Sequence, residues 1–168
     1  MSAGLLILRL VFGGLFAVHG SQKLFGWFGG YGLSGTGTFL EGLGFRPGRL
    51  FAAADGLAEF GGGVLLMLGL FGPVAAAAII AGMLVAILTV HVRNGLMATT
   101  NGVELPLLYI ASALCLALTG PGAYSVDAAL GLSASWTPLL IAIVLLSGVL
   151  GGLASLGLRR SAPVVAHA

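Results

Sequence analysis

The chain has 168 residues, of which 58% are hydrophobic and 7% are charged, and its formal net charge is +2. A soluble domain averages about 25% charged residues, so this composition excludes an ordinary water-soluble fold and indicates an all-α integral membrane protein. The positive charges form no basic helix or strip, which argues against nucleic-acid binding. A single cysteine excludes an intramolecular disulfide and dithiol chemistry.

Five apolar runs, taken in chain order, predict five membrane-spanning helices, because about 20 apolar residues cross a bilayer. The first run carries Arg9, which interrupts the apolar stretch that a cleaved signal peptide needs. A connector rich in glycine and aromatic residues follows, and a short helix is predicted within it at 36–42. The predicted spans are 3–25, 50–71, 73–91, 104–119 and 136–158.

The placement of lysine and arginine predicts the orientation of these spans. With five spans, the loops on one side of the membrane carry the cations, and the loops on the other side carry none. The positive-inside rule therefore predicts an outside N-terminus and a cytoplasmic C-terminus in a bacterial inner membrane. The cations on the predicted cytoplasmic side are Lys23, Arg46, Arg49, Arg93, Arg159 and Arg160.

Small residues in the fifth span leave two alternatives open. Gly148 and Gly152, like Ser147 and Gly151, are spaced four residues apart, which is typical of closely packed membrane helices. This spacing predicts either packing within the chain or the seam of a homo-oligomer.

Ionisable residues fall at one depth of four predicted spans. Asp55 and Glu59 are four residues apart and therefore share a face of the second span. An unpartnered charge inside the bilayer costs about 2.5–3.5 kcal/mol, so we expect a cluster that faces the bundle interior. Its predicted members are His19, Lys23, Asp55, Glu59, His91, Arg93 and Glu104.

Several members of this cluster have simpler interpretations. Lys23, Arg93 and Glu104 also fit interface anchors. His19 and His91 also fit hydrogen-bonded packing residues. Two histidines with two carboxylates would suffice for a metal, but no helix carries an HxxxH or ExxH pair, so no metal site is predicted. Glu59 lies deepest and is the strongest candidate for a role inside the bundle.

Arg9 lies near the predicted outer face, away from this cluster. Asp127, in the loop after the fourth span, is the nearest candidate in the sequence to neutralise it. We therefore expect these two residues to form a structural ion pair.

Short motifs along the chain are specific when taken together. They are Leu8-Arg9-Leu10, His19-Gly20-Ser21-Gln22-Lys23-Leu24-Phe25-Gly26, Glu59-Phe60-Gly61-Gly62-Gly63, Leu68-Gly69, His91, Gly102-Val103-Glu104 with Leu107 and Tyr109, and Gly120-Pro121-Gly122-Ala123-Tyr124-Ser125-Val126-Asp127. In this order they resemble the DoxX family of small bacterial and archaeal membrane proteins. The resemblance implies a four-helix transmembrane domain at 1–131. The fifth apolar run lies outside that domain and predicts a further transmembrane helix at 132–160, with a disordered tail at 161–168.

The resemblance also implies a redox association, because relatives accompany thiosulfate:quinone oxidoreduction or membrane complexes with soluble redox enzymes. We therefore expect an oxidoreductase subunit that binds a quinone headgroup in the polar cluster, with Glu59 and His19 at its catalytic centre. Two alternatives stay open: a non-catalytic membrane platform that docks soluble redox proteins, and a small proton-coupled transporter. The expected binding residues are His19, Lys23, Glu59, His91 and Glu104.

Reporter fusions at the C-terminus test the predicted topology. A reporter that is active only in the cytoplasm should be active, and one that is active only outside should be silent, because the positive-inside rule places this end in the cytoplasm. A fusion after the first predicted span serves as the internal control. An externally active C-terminal fusion would contradict five spans in this orientation.

Overall fold

The computed structural model describes residues 2–160, and every regular element in that range is helical. The predicted disordered tail at 161–168 lies outside the described residues. Short 3-10 turns occur in the connectors. The α-helices in the described range are α1 (Ser2–Phe25), α2 (Gly32–Gly42), α3 (Gly48–Leu68), α4 (Gly72–Ala86), α5 (Glu104–Thr119), α6 (Val126–Ala129) and α7 (Pro138–Gly157).

Four helices of the described chain are long and apolar enough to cross a membrane. They are α1, α3, α7 and the helical stretch Gly72–Asn94 that α4 begins. The 16 residues of α5 measure about 24 Å at ~1.5 Å per residue, which is less than the ~30 Å hydrocarbon core. The protein is therefore a multi-pass helical membrane bundle, while the crossing by α5 and the orientation stay predictions.

The helix ends follow from local backbone chemistry. α3 ends at Leu68 because Gly69 adopts a left-handed conformation with φ 63°, so the predicted span 50–71 continues past the real end. α4 begins with proline in its first turn and continues beyond Ala86 into a π-helical turn. α7 begins after Thr137, whose side chain accepts a hydrogen bond from the backbone nitrogen of Leu140.

The most extensive helix packing in the bundle joins α1 to α3. Gly13 and Gly63 face each other at the crossing, where a Cβ on Gly63 would lie 2.6 Å from the oxygen of Gly13 and 2.5 Å from the nitrogen of Ala17. Small residues allow membrane helices to approach to backbone contact in this way. The close crossing brings the last turn of α1 beside the polar face of α3.

The central helix α4 packs against α3, α5 and α7. Gly148 and Gly152 of α7 lie against Ala77 and Ala81 of α4, and a Cβ on Gly152 would be 3.0 Å from the oxygen of Ala81. Of the two alternatives for this motif, packing within the chain is therefore the one observed. Ser147 is exposed and a Cβ on Gly151 would meet nothing within 4 Å, so the homo-oligomer seam stays a prediction.

Replacing Gly63 with alanine is expected to destabilise the bundle, because the added Cβ would meet backbone atoms of α1. Overpacking of this kind costs about 1–3 kcal/mol, so Gly63→Ala should lower the Tm of the protein in detergent. Gly61→Ala is the matched control, since a Cβ on Gly61 meets nothing within 4 Å. Equal Tm values for the two variants would contradict the close crossing of α1 and α3.

Candidate functional site

An ion-pair cluster joins α1 to α3 inside the bundle, and it consists of Lys23, Asp55 and Glu59. The Nζ atom of Lys23 lies 2.6 Å from Oδ2 of Asp55 and 2.7 Å from Oε1 of Glu59. One ammonium reaches both carboxylates because Asp55 and Glu59 are one helical turn apart. These are the two ion pairs observed within residues 2–160.

The members of the ion-pair cluster differ in exposure. The side chains of Lys23 and Asp55 are 29% and 28% exposed, whereas that of Glu59 is 3% exposed. Within the described part of the chain, Oε2 of Glu59 is buried and has no hydrogen-bond partner. Two carboxylates share one ammonium, so the cluster carries one excess negative charge when all three groups are ionised. A single bound proton restores neutrality, which suits such a cluster to proton exchange.

A cavity of about 280 Å³ lies beside the cluster, between α2, α3, α4 and α7. Its walls are mostly apolar, and its polar lining comes from Lys23, Asp55, Thr89 and Ser155. Thr89 and Ser155 each donate their hydroxyl hydrogen to a backbone carbonyl of the preceding turn, which leaves their oxygens free to accept. An apolar cavity with a few convergent polar groups is the usual form of a small-molecule site.

Aromatic residues form the wall of this cavity near the connector between α2 and α3. Phe39, Phe45 and Phe51 line it, and the rings of Phe45 and Phe51 are 5.2 Å apart. The Arg159 guanidinium lies 5.6 Å from the centre of the Phe45 ring, and its Nε donates to the oxygen of Leu43 at 2.8 Å. These contacts attach the end of α7 to the connector, so α7 is held as one wall of the cavity.

His19 lies apart from the ion-pair cluster, one turn before Lys23 on α1. Its side chain is exposed, and its ring meets the Tyr109 ring of α5 edge-on at 6.0 Å. No hydrogen bond joins His19 to Glu59 in the described part of the chain. No direct contact among the described residues therefore supports the predicted catalytic centre of Glu59 and His19.

His91 and Glu104 bind within the loop between α4 and α5. Nδ1 of His91 lies 2.8 Å from the oxygen of Asn101, and Oε2 of Glu104 accepts from the nitrogen of Ala98 at 2.7 Å. Arg93 of the same loop is exposed. The structure thus brings Lys23, Asp55 and Glu59 of the predicted cluster together, while His91 and Glu104 take local backbone partners.

Arg9 and Asp127 are both fully buried, at 1% and 0% exposure, but no ion pair joins their side chains within residues 2–160, so the expected direct contact is not observed. Arg9 donates through Nη2 to the oxygen of Tyr124. Asp127 accepts from the nitrogen of Phe71 at 3.0 Å and from Nε1 of Trp136 at 3.1 Å. The Asp127 carboxylate therefore binds at the N-terminus of α4, where backbone N–H groups and the helix dipole favour a negative charge.

Sequence reasoning missed the cavity and the roles of Thr89, Ser155 and Trp136. The cavity walls come from four helices that are distant in sequence, and their small apolar residues resemble those of any membrane span. The Ala78, Ala81 and Gly82 series of α4 is a partial signal, because three small residues on neighbouring turns leave space beside a helix.

A family model described as DoxX matches residues 4–92 of the chain. The match includes α1 to α4 and hence the whole ion-pair cluster, whereas α5, α6 and α7 follow it. The boundary at residue 131 stays a prediction. No curated protein and no solved structure matches the chain significantly.

Removing Lys23 alone should destabilise the protein more than removing it together with its partners. Lys23→Met leaves two adjacent carboxylates without a cation, and such a loss costs about 3–5 kcal/mol at fully buried sites and less at this partly exposed one. The variant Lys23→Met/Asp55→Asn/Glu59→Gln removes all three charges and should recover part of the lost Tm. A triple variant no more stable than Lys23→Met would show that these charges are not coupled.

Proposed function

Since the chain belongs to the DoxX family, we propose that it is a redox-associated membrane subunit that binds a quinone headgroup in the cavity beside the ion-pair cluster. The observation that carries this proposal is the mostly apolar cavity of about 280 Å³, with Lys23 and Asp55 in its lining. A quinone headgroup is an apolar ring with two carbonyl acceptors, and it resides in the bilayer. Its chemistry therefore fits a cavity with apolar walls and a cation on one side.

Lys23 is the proposed donor to a quinone carbonyl. An ammonium group has three N–H donors, and the contacts with Asp55 and Glu59 use two of them. Lys23 also lines the cavity, so the third N–H is available to a ligand there. A hydrogen bond from a charged donor is stronger than one between neutral groups, which favours Lys23 as the anchor.

Asp55 and Glu59 are the proposed proton acceptors. Asp55 lines the cavity, and Glu59 lies behind it with its side chain almost fully buried. The excess negative charge of the ion-pair cluster favours uptake of a proton that a quinol hydroxyl releases. A soluble redox partner is proposed to exchange the electrons with the quinone. The single cysteine of this chain cannot form a dithiol that would carry them.

The other residues predicted for this site have smaller proposed roles. His19 is proposed to exchange protons on the α5 side of α1, where its exposed ring meets Tyr109. His91 and Glu104 are proposed to stabilise the loop between α4 and α5, because their hydrogen bonds lie within that loop. The proposed ligand contacts are therefore Lys23 and Asp55.

Proton-coupled transport is the second candidate function. It is favoured by the buried Oε2 atom of Glu59, which has no partner among the described residues. Carboxyl groups within membrane spans are typical of proton relays in transporters. The platform alternative has no comparable observation in its support.

Quinone binding by the purified protein tests the proposal. Quinone should be recovered by organic extraction, and a short-chain quinone should bind Lys23→Met about tenfold more weakly, which corresponds to ~1.4 kcal/mol. Arg93→Met is the matched control, because it removes an exposed cation outside the cavity lining. Wild-type protein that binds no quinone would contradict the proposal.

Glu59→Gln separates binding from proton exchange. The amide keeps the shape and hydrogen-bonding capacity of the side chain but does not titrate, so folding and quinone binding should be retained. Proton release during quinol oxidation, followed with a pH indicator in the presence of an added electron acceptor, should be lost. If Glu59→Gln and His19→Ala both keep wild-type binding and proton release, the cluster is structural and the platform alternative takes first place.

A further inference from the structure

Gly82 lies within α4 and lines the cavity next to the ion-pair cluster. A Cβ placed on it would have Oδ1 of Asp55 as its nearest neighbour, at 3.6 Å. This is an ordinary van der Waals distance, so α4 has room for a side chain at this position. Glycine within a helix is about 0.5–1 kcal/mol less favourable than alanine, and close packing against a neighbouring helix does not account for glycine at this position.

Three other helical glycines, Gly13, Gly63 and Gly148, do have a packing reason. A Cβ on Gly13, Gly63 or Gly148 would lie 2.5–2.9 Å from its nearest neighbours, which include backbone atoms of the helix packed against it. Those glycines allow α1 to approach α3, and α7 to approach α4. Gly82 differs from them because the space in front of it belongs to the cavity.

Gly82 lies next to the Asp55 carboxylate in the lining of the cavity. Its missing side chain would point toward the Asp55 carboxylate, which lines the same cavity. On the facing helix α3, Ala54 and Ala58 also keep the lining small. A larger side chain at position 82 would stand between a ligand and the Lys23–Asp55 pair.

We propose that Gly82 is the specificity-determining residue of this site, because its missing side chain admits the ring of a quinone headgroup to the Lys23–Asp55 pair. The proposal rests on the proposed quinone binding and adds which part of the ligand the site selects. The site selects ligands by the width of the ring that fits beside Asp55. A fused two-ring quinone is therefore more sensitive to a side chain at position 82 than a single-ring quinone.

Binding of two ring sizes to the full-length protein in detergent tests this role. The probes are a short-chain benzoquinone and a naphthoquinone, titrated against wild-type protein, Gly82→Ala and Gly82→Leu. Gly82→Leu should weaken the binding of both probes by about tenfold or more. Gly82→Ala should weaken the binding of the naphthoquinone more than that of the benzoquinone. Gly61→Leu is the matched control, because Gly61 lies in α3, has nothing within 4 Å of an added Cβ and does not line the cavity.

Thermal stability separates loss of binding from loss of folding. A side chain at position 82 improves helix propensity and fills empty space, so Gly82→Ala should keep or raise the wild-type Tm. If Gly82→Leu does not fold, the binding of the two probes to Gly82→Ala still decides whether Gly82 sets the specificity. Wild-type binding that both Gly82 variants retain unchanged would overturn the role of Gly82 and leave the proposed function standing. Wild-type protein that binds neither probe would overturn both.

Discussion

The bridge from Lys23 to two carboxylates of α3 is the interaction on which the rest of this structure depends. A charge inside a bilayer needs a partner, so the helices that carry these groups must remain in contact at that depth. Gly13 and Gly63 permit this contact, because the backbones of α1 and α3 touch where they cross. The same close approach leaves the Asp55 side of α3 facing α4, which is where the cavity lies.

The cavity exists because α4 presents small residues to a polar neighbour. Gly82 leaves the Asp55 carboxylate accessible, and α7 is held in place by Gly152 against α4 and by Arg159 against Phe45. A fully packed interface at this position would bury the ion pair beyond reach of any ligand. Apolar walls with an accessible cation on one side instead combine membrane solubility of the ligand with directional recognition.

The two groups of charged residues have different partners. Asp127 accepts hydrogen bonds from the backbone at the N-terminus of α4 and from Trp136, and Arg9 donates to a backbone carbonyl. Hydrogen bonds of this kind connect loops to helices. Lys23 and Asp55 are bound to each other and line a cavity, which is the arrangement that allows exchange with a ligand.

The sequence by itself determined the class of the protein, its apolar helices and the family, because hydropathy and helical periodicity are properties of contiguous residues. It also determined that Asp55 and Glu59 share a face, since a spacing of four follows from helix geometry alone. The tertiary structure decided which residues meet across helices. His91 and Glu104 bind backbone atoms in their loop, and Asp127 binds the N-terminus of α4. The rotation and crossing of the helices set which of these side chains come within bonding distance of each other. The cavity likewise required four helices to be placed together, and no local pattern in the sequence encodes that placement.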